Sequence, residues 1–244
     1  MLDLTGRRIL ITGASSGIGR ELVILMDRLG ASVVACGRDE ARLCDTLASC
    51  RSPKKHLRIV FELKDFGRYA SVFEEAVANG KLDGLVHCAG IAQATPLRGL
   101  SVDVVRDILD VNLISFFQLA ALYAKRKYNN GGSIVGISAV NAHYPQKCMS
   151  AYAASKLALE GATKTMAVEL ADQGIRINCV VPGGIDTPMG KDVLPETREY
   201  LSHKPLLGMC KPEDVNYMVA FLLSDFSKQI TGRSMYVDGG WLGQ

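Results

Sequence analysis

Short apolar, β-branched runs alternate with amphipathic helical stretches along this chain, and that alternation leaves few folds open. The runs are Arg8-Ile9-Leu10-Ile11-Thr12, Ser32-Val33-Val34-Ala35-Cys36, Leu57-Arg58-Ile59-Val60-Phe61, Gly84-Leu85-Val86-His87-Cys88, Ser133-Ile134-Val135-Gly136-Ile137, Ile175-Arg176-Ile177-Asn178-Cys179-Val180 and Ser234-Met235-Tyr236-Val237. A strand that is apolar on nearly every residue must be buried on both faces, which requires a parallel sheet with helices on either side. Strand, helix, strand repeated in this way predicts an α/β, doubly wound sheet of about seven parallel strands. No Pro/Gly/Ser linker, repeat or low-complexity tract interrupts residues 1–244, which therefore read as one domain. Gly30 marks a helix end, Ser101 a helix start, and Pro212-Glu213-Asp214 a first turn.

With 48% apolar and 22% charged residues, the chain has the means to fold. Its 28 Lys+Arg against 25 Asp+Glu leave a formal charge of +3. The longest basic run, Lys125-Arg126-Lys127, reads as a solvated helix face, so no nucleic-acid partner is expected. The first eight residues lack the pattern of an export signal, and no apolar run reaches the ~18 residues of a spanning helix, so a cytoplasmic protein without membrane contact is expected. Seven cysteines form no C-x-x-C pair and read as reduced thiols. His56, His87, His143 and His203 lie far apart, so no metal site is expected.

The first strand runs into Thr12-Gly13-Ala14-Ser15-Ser16-Gly17-Ile18-Gly19, followed directly by a helical pattern. Glycines at such a turn permit a sharp reversal and close approach of backbone to a pyrophosphate, which the free N–H groups of the helix start can bind. The spacing is G-x-x-x-G-x-G and no Gly-Lys-Ser/Thr follows, which excludes the Walker pattern. A plain tight turn is the alternative. The second strand ends at Gly37-Arg38, where an arginine suits a 2′-phosphate and an acid would suit a free ribose. NADP(H) is therefore the expected cofactor, with NAD(H) as the alternative.

Tyr152-Ala153-Ala154-Ser155-Lys156 places a phenol and an ammonium one helical turn apart. A nearby cation stabilises phenolate and can bring the ordinary pKa of ~10 toward neutrality. The same spacing occurs at Tyr123/Lys127 and Tyr200/Lys204, but only Tyr152 follows a buried strand ending at a serine, Ser138.

Together with Cys88-Ala89-Gly90, Asn112, Pro182-Gly183, Thr187, Ile230-Thr231-Gly232 and Val237-Asp238-Gly239-Gly240, these motifs resemble the classical short-chain dehydrogenase/reductase family over nearly the whole chain. The resemblance implies a Rossmann-like fold and hydride transfer between a ketone or secondary alcohol and a nicotinamide, without a metal. It implies that Tyr152 exchanges the substrate oxygen's proton, that Ser138 hydrogen-bonds that oxygen, and that Lys156 lowers the tyrosine pKa and contacts the nicotinamide ribose. Asn112 is then the helix-kinking residue that holds a relay water. The implied dinucleotide contacts are Gly13, Ser15, Ser16, Gly17, Ile18, Gly19, Arg38, Glu62, Leu63, Cys88, Ala89, Gly90, Tyr152, Lys156, Pro182, Gly183, Ile185 and Thr187. Two departures stand out: the family's paired asparagines appear as His87-Cys88, and its adenine-contacting aspartate as Glu62.

Substrate is expected at segments 91–97, 139–149 and 189–210, the last a lid, with His143, Tyr144, Gln146 and Met149 as candidate contacts. A small carbonyl or alcohol is the expected substrate. The first alternative is a 3-oxoacyl-(acyl-carrier-protein) reductase, although the family's two carrier-docking arginines are replaced by Asn129 and Gln173. The other is a non-catalytic dinucleotide-binding protein. A homotetramer or homodimer, packed through the helices of Asn112 and Tyr152, is the family-implied assembly.

Overall fold

A computed structural model describes residues 2–185 and 203–243. Seven parallel strands form one sheet: β1 (Arg8–Thr12), β2 (Ser32–Gly37), β3 (Leu57–Val60), β4 (Leu82–His87), β5 (Asn129–Ile137), β6 (Ile175–Pro182) and β7 (Ser234–Val237), in the order β3-β2-β1-β4-β5-β6-β7. The order reverses between β1 and β4, and the crevice beyond the carboxyl ends of strands at such a point is where ligands bind in this architecture. Every predicted strand is present. β5 begins earlier than expected, at Asn129, and its register shifts against β4 between Leu82 and Gly84.

The apolar strands are explained by two cores. Leu10, Val34, Cys36 and Ile177 face one side with Phe73 and Phe116, whereas Ile9, Ile11, Val33 and Ala35 face the other with Leu22 and Val215. Successive strand residues point to opposite faces, so burial on both sides requires apolar residues throughout. Helices α1 (Gly17–Arg28), α2 (Glu40–Ala48) and α7 (Pro212–Leu223) cover the second face; α3 (Tyr69–Ala76), α5 (Ser115–Tyr123) and α6 (Ser150–Leu170) cover the first.

Helix ends follow local chemistry. Ser101 caps α4 (Val102–Leu109) by accepting the Val104 N–H at 3.3 Å, and Gly30 leaves α1 with φ +86°. Between α4 and α5 the chain makes one wide π turn, Asp110–Ile114, with Asn112 inside it. Such turns displace the helix path and recur at functional sites.

Among the described residues no helix is long and apolar enough to cross a membrane. Thr187 and positions 189–202 of the expected lid lie outside the described residues.

Candidate active site

Beyond the ends of β1, β2 and β4 lies a cleft of about 490 Å³ whose walls include Gly13, Ser15, Ser16, Gly17, Ile18 and Gly19 from the first turn. Arg38 comes from the end of β2, Glu62 and Leu63 from beyond β3, and Cys88, Ala89 and Gly90 from beyond β4. The cleft has the size of a small-ligand site. Its glycines are required by close approach. A Cβ on Gly13 (φ +68°) would sit 2.8 Å from the Ala89 nitrogen, and one on Gly19 would run into the Gly13 carbonyl. Ser16 precedes α1 without capping it through its side chain, so the first-turn N–H groups point into the cleft unclaimed by a cap. These features fit a dinucleotide.

Arg42, Asp39, Phe61 and Val111 also line the cleft and were not anticipated from the sequence; Ile91, which the sequence placed in a substrate segment, lines it too. Arg42 follows Arg38 by four residues, in the first turn of α2, a proximity in sequence that could have flagged it. Arg38 lies 3.8 Å from Glu62, and Arg42 3.3 Å from Asp39, in solvent-exposed pairs that are weak enough to yield to a phosphate.

The departure at His87 has a structural explanation. The imidazole is fully buried between Thr12 Oγ1 at 2.9 Å and Ser115 Oγ at 3.2 Å. Ser115 donates to the Val111 carbonyl, so His87 Nε2–H donates to Ser115 and Nδ1 accepts from Thr12. Burial, and secondarily the Lys156 charge, pushes this histidine down to about 3, so it remains a neutral strut between β1, β4 and the π turn.

Next to Gly90 of the cleft wall, beyond the ends of β4 and β5, lie the expected catalytic side chains. Asn112 is buried, accepts the Ile91 N–H at 2.8 Å, and donates to the Ile91 carbonyl and to Ser155 Oγ, both at 3.0 Å. A Cβ on Gly90 would lie 3.3 Å from Lys156 Nζ and 3.4 Å from Asn112 Oδ1, so Gly90 keeps a gap between these groups and the cleft. Lys156 Nζ donates to the Ile137 carbonyl at 2.7 Å and lies 5.7 Å from the Tyr152 ring centroid. Ser138 Oγ donates to Glu160 Oε1 at 2.5 Å and is 3.3 Å from the Lys156 carbonyl.

The electrostatics differ from expectation. Burial pushes the Tyr152 phenol up to about 12 and the Lys156 ammonium down to about 8. The cation is directed at Ile137, and loss of water dominates both groups, so the lysine does not bring the phenol toward neutrality in the protein alone.

The other Tyr/Lys spacings lead elsewhere. Tyr123 is buried and donates to Gly131 at 2.6 Å, while Lys127 is an exposed partner of Glu74. Tyr200 lies outside the described residues. Pro182 and Gly183 end β6 against Val237 and Asp238, and Ile185 forms an isolated bridge with Cys210. Of the candidate substrate contacts, His143 is bound to Glu160 and Tyr144 packs edge-on against Trp241 at 5.8 Å. The Gln146 carbonyl accepts the Met149 N–H, and Met149 immediately precedes α6.

Asp27, Cys50 and His56 form a metal-like group among the described residues. His56 Nδ1 accepts the Val33 N–H at 3.1 Å and Nε2 lies 3.0 Å from Asp27 Oδ1, so both ring nitrogens are committed within the protein. It is a clamp between α1 and the approach to β3.

Residues 13–242 match the family model described as enoyl-(acyl carrier protein) reductase. The chain belongs to the short-chain dehydrogenase/reductase family. The 3-oxoacyl-(acyl-carrier-protein) reductase of Thermotoga maritima is 37% identical over 245 residues, covering 98% of this chain and 99% of the relative. Carbonyl reductase [NADPH] 2 of Sus scrofa is 33% identical over 246 residues, covering 99% and 98%. The structure of a putative NAD(P)-dependent gluconate 5-dehydrogenase from Beutenbergia cavernae, with bound NADP, superposes with a TM-score of 0.91 at 30% identity, covering 100% of this chain and 99% of that one. As a member of this family the chain is an oxidoreductase of the CH–OH/carbonyl class that uses NAD(P).

Proposed function

We propose that this protein is an NADP(H)-dependent reductase interconverting a small ketone and a secondary alcohol, with Tyr152 as the proton donor and acceptor. The observation that carries the reading is that Lys156 and Asn112 stand behind Gly90, a residue of the cleft wall, with Tyr152 and Ser138 beside Lys156, while Arg38 and Arg42 line the same cleft. The dinucleotide, when bound, supplies or accepts the hydride. The protein's part is orientation and proton handling. A phenol held at about 12 by burial is protonated at neutral pH, the form that gives a proton to a carbonyl oxygen. Asn112 clamps Ile91, and Lys156 contributes a cation beside the cleft. Thr187, outside the described residues, and Ile185 are assigned to the carboxamide end. Arg38 and Arg42 are assigned to a 2′-phosphate, which favours NADP(H) over NAD(H).

A second reading, 3-oxoacyl-carrier-protein reductase, is favoured by the Thermotoga relative. Against it, Asn129 is buried and ties Tyr123, Lys125 and Gly131 together, so it offers nothing to an acidic carrier. A non-catalytic nucleotide-binding role would not require the four convergent side chains. A groove of about 630 Å³ between α5 and α6, lined by Phe117, Ala121, Ala158, Ala162 and Met166, suits a homodimer or homotetramer contact in a cytoplasmic protein. Loss of NADPH absorbance is to be followed with cyclohexanone, 2,3-butanedione, a ketose, and acetoacetyl groups on carrier protein and on a short thiol. Turnover of a free ketone supports the first reading. A large, salt-sensitive advantage of the carrier-bound substrate supports the second.

A further inference from the structure

One turn beyond Lys156, and on the same face of α6, is a buried carboxylate that neither binds the dinucleotide nor supplies the proton. Tyr152, Lys156 and Glu160 are spaced by four residues, which stacks them along the inner side of the helix. Glu160 is only 4% exposed. Its Oε1 accepts the Ser138 hydroxyl at 2.5 Å, its Oε2 accepts the Ser234 hydroxyl at 2.7 Å, and His143 Nε2 lies 3.0 and 3.1 Å from the two oxygens. The Tyr236 hydroxyl stands 3.3 Å from the same nitrogen. The two hydroxyl contacts have the lengths of charge-assisted bonds.

A serine hydroxyl has one proton and two lone pairs. The alternative acceptor for the Ser138 proton, the Lys156 carbonyl, is farther away at 3.3 Å. The proton therefore belongs to Glu160, and lone pairs remain for any other partner. We propose that Glu160 is a positioning residue that acts through Ser138, turning this hydroxyl into an acceptor toward substrate. The inference rests on the reading of Ser138 and Tyr152 as the groups around the substrate oxygen. An alcohol, which carries a proton, satisfies such a serine. A carbonyl oxygen does not, and engages Ser138 only after its proton has left Glu160. Glu160 thus favours the bound alcohol over the bound ketone and leaves protonation of the carbonyl to Tyr152.

The test is Glu160→Gln, assayed near neutral pH in both directions with cyclohexanone/cyclohexanol or, if wild-type turnover is slow, 2,3-butanedione/acetoin. The amide can still accept from Ser138 and His143 and can donate to Ser234, while the charge is gone. Exchanging a charged for a neutral acceptor frees the Ser138 proton, so KM for the ketone should fall about fivefold and KM for the alcohol should rise about fivefold. Because the reaction equilibrium is unchanged, the ratio of forward to reverse kcat must fall by the product of those factors. A purely structural role for Glu160 would move both KM values the same way; that result, or no movement, overturns the proposal. NADPH affinity measured by fluorescence reports whether the variant is folded. If it is not, Ser138→Ala in the otherwise native protein decides: the proposal requires KM for the alcohol to rise more than KM for the ketone, and the opposite order overturns it. Wild-type protein that reduces no ketone in the panel removes the underlying reading, whereas an active wild type with unmoved KM values removes only the role of Glu160.

Discussion

Lys156 is expected to be a stability cost that the protein bears for its site. Displacement of its pKa from 10.5 to about 8 by burial corresponds to about 3 kcal/mol of penalty on the ammonium relative to the neutral amine. Below about pH 8 the folded and unfolded chains both carry the proton, and the folded state bears the full penalty. Between about pH 8 and pH 10.5 the unfolded chain binds more protons than the folded one, so stability rises with pH; above that range both are neutral and the penalty is gone. Lys156→Met keeps the apolar stem and removes the charge, at the expense of the bond to the Ile137 carbonyl (2.7 Å), worth about 1 kcal/mol. Near pH 7 the variant should be more stable by about 2 kcal/mol, or about 4–8 °C in Tm for a chain of this size. At about pH 10 the gain should have disappeared. Thermal melts of both proteins without dinucleotide measure this directly, and ketone reduction by the variant should be lost. A variant that melts lower than wild type near neutral pH, or a Tm difference independent of pH, would refute the assignment of a desolvated ammonium.

Tyr152→Phe should lower kcat by about 10²–10⁴-fold while NADPH binding, followed by fluorescence, stays intact; Tyr123→Phe should spare catalysis and lower stability by about 1 kcal/mol through its lost bond to Gly131. Arg38→Gln should weaken NADPH binding about tenfold or more and leave NADH unaffected, and equal losses for the two cofactors would remove the 2′-phosphate assignment. His56→Ala strands the Val33 N–H and leaves the buried Asp27 carboxylate with only the Arg51 and Ser52 N–H groups, so urea unfolding should show a loss of about 1–3 kcal/mol with little change in KM.

Much of this protein was legible in one dimension because its strands are buried on both faces. Repeated continuous apolar runs such as 9–11 and 33–36, alternating with helical patterns, pointed to a covered parallel sheet, and Gly13, Gly17 and Gly19 where a strand runs into a helix pointed to a tight turn with free N–H groups. Spacing by four also placed Lys156 beside Tyr152, since it needs nothing beyond the pitch of one helix. What depends on distant segments was not legible. The direction of the Lys156 ammonium toward Ile137, the π turn around Asn112 held by Ile91 and Ser155, and the neutral His87 between Thr12 and Ser115 each join elements far apart in the chain. Glu160 reads in sequence as an ordinary helix glutamate. Only the packing of α6 against β5 and β7 removes its water and gives it Ser138 and Ser234. Local sequence determines which groups a helix presents together, but desolvation and long-range hydrogen bonding, which set the state of each proton, arise only when the layers close over them.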